Sequence, residues 1–170
     1  MPVTYNLIAS NTLSSAAATV TFSAIPGTYT DLVVRISPRS DASFKSRVLK
    51  VNFNSVTGTS YSCTYIYGSG SSASSGRASN TSTIQDATVP AATSTSNTFG
   101  STEIYVPNYT AATNKPISIF SLAEDNATAA DLYATAGLFS NTSAITQIEF
   151  VTSGNFVSGS SFFLYGIKNS

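Results

Sequence analysis

The stretch Ser160-Ser161-Phe162-Phe163-Leu164-Tyr165-Gly166-Ile167-Lys168 decides the fold class of this 170-residue chain. Bulky residues that favour extended backbone fill it, and a polar, glycine-containing stretch precedes it, so it predicts a β-strand that closes a sheet. Side chains alternate across a strand, so one face should carry Phe162, Leu164 and Gly166, and the other Phe163, Tyr165 and Ile167. Because both faces carry large apolar residues, we expect the opposite sheet to cover one and a neighbouring subunit to cover the other.

Working outward from this strand, nine further short segments alternate or are rich in β-formers and are followed by turn residues: 3–8, 18–25, 31–37, 47–54, 60–67, 99–106, 116–122, 130–139 and 145–151. The small-residue stretch 68–83 is either an exposed loop or an edge strand, and 126–133 allows at most one helical turn. The pattern predicts a single domain over 1–170, an all-β, antiparallel β-sandwich that is jelly-roll-like, with about 8–10 strands. The longer connections favour non-sequential, Greek-key strand pairs.

The composition of the chain indicates a surface with little charge. Charged residues make up 9% of the sequence, against about a quarter in typical proteins, and Ser and Thr together form roughly a third. Neutral hydroxyl groups avoid the cost of burying charge when two surfaces meet, which suits a protein that packs against other proteins. Extracellular β-proteins share this composition, so both interpretations stay open. The net charge is zero, which gives no overall electrostatic argument for nucleic acid or an anionic membrane.

Local charge and the single cysteine suggest no reactive centre. The one basic cluster (Arg35, Arg39, Lys45, Arg47 and Lys50) alternates with apolar residues and predicts solvated strand faces and a loop, with an acidic partner as the alternative. Cys63 cannot form an intrachain disulfide and is expected to be a small, partly buried residue.

The first residues lack the pattern of a signal peptide, and no apolar run is as long as a membrane span. We therefore expect folding in a reducing cytoplasm.

The sequence does not predict an enzyme. It contains no histidine, which excludes Ser-His-Asp and Cys-His mechanisms. The only local cluster of carboxylates is Glu124, Asp125 and Asp131, which predicts a solvated loop more than a catalytic pair or a calcium site. No phosphate-binding glycine motif occurs, and we expect no cofactor and no metal.

Tyrosines are the remaining candidates for binding. Tyr61, Tyr65 and Tyr67 alternate on one face of a predicted strand, where they either stabilise the sheet or contact another molecule. We nominate them as a contact between subunits, together with Phe163 and Tyr165 of the terminal strand. A groove for a glycan is the alternative, formed by an exposed aromatic and carboxylate set: Tyr105, Tyr109 and Glu124.

Three segments, in order along the chain, carry a resemblance to a known family. They are TVTFSAIPGTYTDLVVR at 19–35, FGSTEIYVPNY at 99–109, and, within 154–168, GNF, GS and LYGIK. Together they resemble a family of small structural proteins of tailed bacteriophages. The resemblance implies a β-sandwich component of the virion, a capsid decoration (cement) protein that binds the major capsid protein and is often a homotrimer. It assigns no catalytic residues.

The same resemblance suggests roles for particular regions. Residues 1–12 are either an N-terminal arm that binds the capsid or is exchanged between protomers, or an ordinary edge strand. The protein would be made in the cytoplasm of the bacterial host and would reside on the particle surface. The alternative function is a tail-fibre or baseplate-associated module that binds a host surface glycan.

Overall fold

The computed structural model of the protein describes residues 4–126 and 130–168, and within them it contains strands and connections but no helix. The strands, in chain order, are β1 (Tyr5–Thr12), β2 (Ala17–Phe22), β3 (Asp31–Ser37), β4 (Ser46–Phe53), β5 (Tyr61–Gly68), β6 (Ala73–Thr81), β7 (Thr88–Pro90), β8 (Ser101–Val106), β9 (Lys115–Ala123), β10 (Asp131–Phe139), β11 (Ile148–Phe156) and β12 (Ser161–Ile167). The all-β prediction is confirmed. Accordingly, the described residues include no helix that is long and apolar enough to cross a membrane.

The strands form two antiparallel sheets that pack face to face. One sheet has eight strands in the order β1-β12-β3-β8-β9-β10-β5-β6, and the other has four in the order β2-β11-β4-β7. Consecutive strands cross repeatedly from one sheet to the other, so many neighbours within a sheet are far apart in sequence, as the longer connections predict. The terminal strand β12 lies between β1 and β3, where it pairs with both.

The described residues contain twelve strands, two more than the upper end of the predicted range. One addition is β6, which resolves the open interpretation of 68–83 in favour of an edge strand of small residues. The other is β7, which has only three residues and ends in Pro90, so it shows no alternating pattern to detect. It is held in place by pairing with β4.

Side-chain alternation places the core between the two sheets. In β12, Phe162 and Leu164 are fully buried and belong to the core, whereas Phe163 and Tyr165 on the opposite face are half-buried. The predicted division of this strand into two faces is therefore correct. Gly166 lies on the core side, where the ring of Tyr29 occupies the space that a Cβ atom would need.

Several strand boundaries differ from the predicted ones by a few residues. The largest shift is at β11, predicted at 145–151, because Ile145 is a buried loop residue and the strand runs on to Phe156. The predicted helical turn at 126–133 lies partly outside the described residues, and β10 already begins at Asp131. Residues 1–3 of the predicted N-terminal arm are likewise outside them. Tyr5–Thr12 is the edge strand β1, paired with β12 of the same chain.

Candidate interaction surface

The side of the eight-stranded sheet that faces away from the four-stranded sheet is called the outer face here. Its side chains form rows across the sheet because strands in register bring their outward residues side by side. One row contains, from β1 to β10, Ser10, Phe163, Arg35, Glu103, Phe120 and Ala134. The adjacent row contains Leu7, Tyr165, Val33, Tyr105, Ser118 and Ala136. These two rows form the centre of the outer face.

The outer face combines exposed apolar side chains with one ion pair. Leu7 is 56% exposed, Phe120 49% and Ile66, on the neighbouring strand β5, 61%. Between them, Arg35 on β3 forms an ion pair with Glu103 on β8. Its Nε donates to Glu103 Oε2 at 3.1 Å, and its Nη2 lies 3.0 Å from the same oxygen. Both side chains are more than half exposed, so in the isolated chain this pair contributes little to stability.

The outer face is uneven, because small and large residues occupy different strands. A depression of about 420 Å³ lies over β9 and β10, where Ser118, Ala134 and Ala136 have short side chains. Phe120 and Tyr105 also line it. The Tyr105 hydroxyl donates to Asp31 Oδ2 at 2.9 Å, and this hydrogen bond to a carboxylate raises the pKa of Tyr105. The bond fixes the ring at one side of the depression.

Tyr61 does not belong to any exposed surface. It is 1% exposed, stacks on Phe139 with ring centroids 4.9 Å apart, and its hydroxyl accepts a hydrogen bond from the backbone of Phe53. Burial raises the pKa of its hydroxyl. The nomination of Tyr61 as a subunit contact is therefore wrong, because its ring is part of the core beneath the four-stranded sheet.

Tyr65 and Tyr67 lie on the same side of β5 as Tyr61 but are only half-buried. With Tyr133 of β10 they form a tyrosine cluster, in which the rings of Tyr67 and Tyr133 stack 5.1 Å apart at 12°. Gly76 of β6 leaves room for the Tyr65 ring, since a Cβ there would overlap it. The stacked faces contact each other, which favours the interpretation that these tyrosines stabilise the sheet.

Phe163 and Tyr165, the other nominated residues, lie on the outer face, on the opposite side of the sheet from the tyrosine cluster. Both are half-buried, and Tyr165 meets Tyr5 edge to face at 6.4 Å. The five nominated residues therefore do not form one site. Of them, only Phe163 and Tyr165 belong to the surface with the exposed apolar residues.

The charged clusters of the sequence are not clusters in space. Arg39 is 9% exposed and donates to the backbone oxygens of Ser94, Thr95 and Thr98, so it holds a loop together and does not face solvent. The sequence predicts solvated strand faces and a loop for the basic cluster; Arg39 does lie in the connection after β3, but its side chain is buried. Arg47 instead covers the ring of the exposed Phe44.

The three carboxylates at the end of β9 and the start of β10 also separate. Asp125 is 4% exposed and lies 3.8 Å from Lys45 Nζ, whereas Glu124 is exposed and accepts from the backbone of Asn126. Asp131 accepts from Ser46 Oγ. The solvated-loop prediction holds for Glu124 but is wrong for Asp125. Within residues 4–126 and 130–168, no three metal-ligating side chains come together.

The predicted glycan groove does not form. Tyr109 is fully buried, and its hydroxyl donates to the backbone oxygen of Pro26. A sugar could not reach that ring without opening the core. Tyr105 lies on the outer face, and Glu124 follows the end of β9.

Cys63 is the small buried residue that the sequence predicts. It is 4% exposed, its thiol donates to Asp86 Oδ2, and burial together with this carboxylate raises its pKa to about 12. A thiol that stays protonated is a poor nucleophile.

The residues of the outer face were mostly not singled out from the sequence. A signal for them exists, because alternation in β9 places Phe120 on the face opposite Ile117 and Ile119. What the sequence does not show is which strands lie beside β9.

No protein-family model matches this chain, and no curated protein matches it. Its function must therefore be inferred from its sequence and this surface.

Proposed function

We propose that this chain is a structural protein of a bacteriophage virion, a capsid decoration protein that binds the outer capsid surface and bridges neighbouring subunits of the major capsid protein. The main support is the position of the three segments that resemble phage structural proteins. They include most of β3, all of β8 and the second half of β12, and these three strands are adjacent in the eight-stranded sheet. Residues from these three strands form the centre of the outer face.

The character of the surface also supports a role in assembly. A decoration protein gains its binding energy from complementary buried area and needs no reactive group. Here the exposed large apolar residues lie on opposite sides of the sandwich, with Phe120 and Ile66 on the outer face and Val48 on the four-stranded sheet. Two such sides suit a protein that contacts more than one neighbour. Repetition on a symmetric shell supplies avidity, so each contact can be modest.

Under this proposal the chain folds in the cytoplasm of the bacterial host and reaches the medium as part of a released particle. The buried, protonated Cys63 fits both environments, because it can neither form an intrachain disulfide nor react readily after release.

The test is to mix the purified protein with phage particles that lack it and to image the particles by electron microscopy. We expect added density at symmetry axes of the capsid. Particles that already carry the protein are the control and should gain none. Density only at the tail would overturn the proposal and favour the alternative module at the tail fibre or baseplate, which a glycan array would then test.

A further inference from the structure

We propose that the outer face packs against the same face of a second copy of this chain, around a two-fold axis that runs along the strands between β3 and β8. The argument concerns how copies of the chain contact each other, and it is independent of whether they bind a capsid. It rests on the order of the side chains in the two central rows and on the shape of the face.

The first row has an order that is complementary to itself. From β12 to β9 it contains Phe163, Arg35, Glu103 and Phe120, that is, an aromatic ring, a cation, an anion and an aromatic ring. A two-fold axis between β3 and β8 places each β3 residue opposite a β8 residue of the other copy. Arg35 of one copy then meets Glu103 of the second, and the same pair forms again on the other side of the axis.

The aromatic residues of this row also match. The axis exchanges β12 with β9, so Phe163 of one copy lies over Phe120 of the second, where the exposed Phe120 ring gains an aromatic partner. The charges would be partly desolvated in the pair. However, each carboxylate would then accept from the guanidinium of its own chain and from that of the second copy, which compensates for lost water.

The second row matches large residues with small ones. The same axis places Tyr165 of β12 opposite Ser118 of β9, and Leu7 of β1 opposite Ala136 of β10. Ser118 and Ala136 line the depression of about 420 Å³, and Leu7 is 56% exposed on the opposite half of the face. The bulky half of one copy therefore fills the hollow half of the other, twice per pair.

The size of the face indicates a dimer that can dissociate. The six strands from β1 to β10 span about 25 Å at ~4.8 Å per strand, and about 20 Å of each strand takes part, which gives a footprint of roughly 500 Å² per copy. Stable, specific interfaces bury about 800 Å² per partner, so this contact lies at the weaker end of the range. A concentration-dependent equilibrium between monomer and dimer follows.

A two-fold pair differs from the homotrimer that the resemblance implies. A three-fold contact joins two different patches, and it does not require a row that is complementary to itself. Here the cation and the anion lie at equal distances on the two sides of the midpoint of the row. A two-fold axis through that midpoint therefore places each charge opposite one of the other sign, as a two-fold contact requires.

The decisive experiment uses two charge-reversal variants of the full chain, Arg35→Glu and Glu103→Arg. Each variant alone should repel its own copies, so its dissociation constant, from sedimentation equilibrium, should rise at least about tenfold above that of the wild type. An equimolar mixture should restore dimers, because Glu at position 35 then faces Arg at 103, and Arg35 faces Glu103, in the other copy. This recovery depends on the proposed pairing, because in each variant positions 35 and 103 carry charges of the same sign, so neither monomer can form the ion pair by itself.

A second pair of variants tests the shape of the contact without changing the ion pair. Ala136→Glu should abolish the dimer, because it places a charged side chain where Leu7 of the second copy enters. Thr19→Glu, on an exposed position of β2 in the other sheet, is the matched control and should leave the dimer intact. Circular dichroism and a thermal melt verify that each variant is folded.

The outcomes are distinct. A wild-type protein that stays monomeric through the micromolar to millimolar range, or that forms trimers, overturns the proposal. So does a dimer that Ala136→Glu leaves unchanged, or a mixture of the charge variants that remains monomeric. None of these results depends on the particle experiment, so the proposed function and this pairing can fail separately.

Discussion

At the residue scale, the core leaves no space for an additional methyl group at particular positions. Gly166 in β12 lies against the ring of Tyr29, and the atoms nearest the Cβ position are the ring atoms closest to the Tyr29 backbone, not the far end of a flexible side chain. We expect Gly166→Ala to reduce the free energy of unfolding by about 1–3 kcal/mol, as extra methyl groups in packed cores do. Denaturant melts measure the change.

Gly58 provides the matched control for this substitution. A Cβ atom at Gly58 would meet no atom within 4 Å, so Gly58→Ala should leave stability within about 0.5 kcal/mol or raise it slightly. Equal stability of the two variants would contradict the close packing of the Tyr29 ring against Gly166.

Cys63 makes stability depend on pH in the alkaline range. Its pKa is about 12 in the folded protein against 9.0 for the ordinary thiol, so between these values the folded state holds a proton that the unfolded state releases. The contribution of this thiol to the free energy of unfolding is therefore fully present well below pH 9, and it decreases as the pH rises from 9 towards 12. At pH 10 the loss is about 1 kcal/mol.

The measurement compares urea melts of the wild type and Cys63→Ala at pH 8 and pH 10. The wild type should lose about 1 kcal/mol more than the variant between these pH values, since the tyrosines titrate in both. A thiol reagent at pH 8 should also modify Cys63 only when the protein unfolds. Rapid modification of the native protein would contradict the buried position.

At the residue scale, the sequence predicts which face a side chain lies on but not what covers that face. Tyr61, Tyr65 and Tyr67 share a face, as alternation requires, yet Tyr61 is in the core and the other two are half-buried. The difference arises because eight strands face only four, so the smaller sheet ends before the larger one. Where a sheet ends depends on pairing between segments distant in sequence, which no local pattern contains.

At the scale of elements, the edge strand β6 has an unpaired side that invites pairing with other chains. Its residues are small, and Arg77, exposed near its middle, is its only charged residue. Charged side chains on edge strands oppose unwanted pairing. We expect Arg77→Val to increase aggregation on mild heating, measured by light scattering.

Lys50→Val is the control for the edge strand. Lys50 is also exposed, but it lies on β4, whose two sides pair with β11 and β7, so its backbone offers no free edge. Like Arg77→Val, the Lys50→Val substitution replaces one positive charge by valine. Equal aggregation of both variants would mean that exposed hydrophobicity alone, and not the edge, controls association.

Elements with strong alternation could be predicted from the sequence almost completely. The strand β3 occupies the predicted residues 31–37 without any shift. β9 is one residue longer than predicted at each end, and β10 begins one residue later. Short or weakly apolar strands could not, because β6 and β7 acquire their structure from pairing with β5 and β4 and not from their own composition.

At the scale of the whole molecule, the proposed pairing links stability to concentration. If the unfolded chains are monomers and both concentrations exceed the dissociation constant, a hundredfold increase in protein concentration should stabilise the dimer by about 2.7 kcal/mol and raise the melting temperature by a few degrees. Scanning calorimetry of the wild type and Ala136→Glu measures this shift. The variant should melt at the same temperature at both concentrations.

A cooperative melt of the wild type that is independent of concentration, together with a monomeric mass by light scattering at high concentration, would rule out oligomer formation in solution. The same pair of measurements would also rule out the trimer expected from the resemblance.

The position of β12 has a consequence for the order of events in time. Of the described strands it is synthesised last, yet it lies inside the eight-stranded sheet, between β1 and β3. Until the ribosome has released residues 161–167, β1 has no neighbour, and the edge of β3, which contains Leu32, Val33 and Val34, stays open. The nascent chain should therefore complete its sheet only after synthesis of β12, and this interval is when chaperones would be needed most.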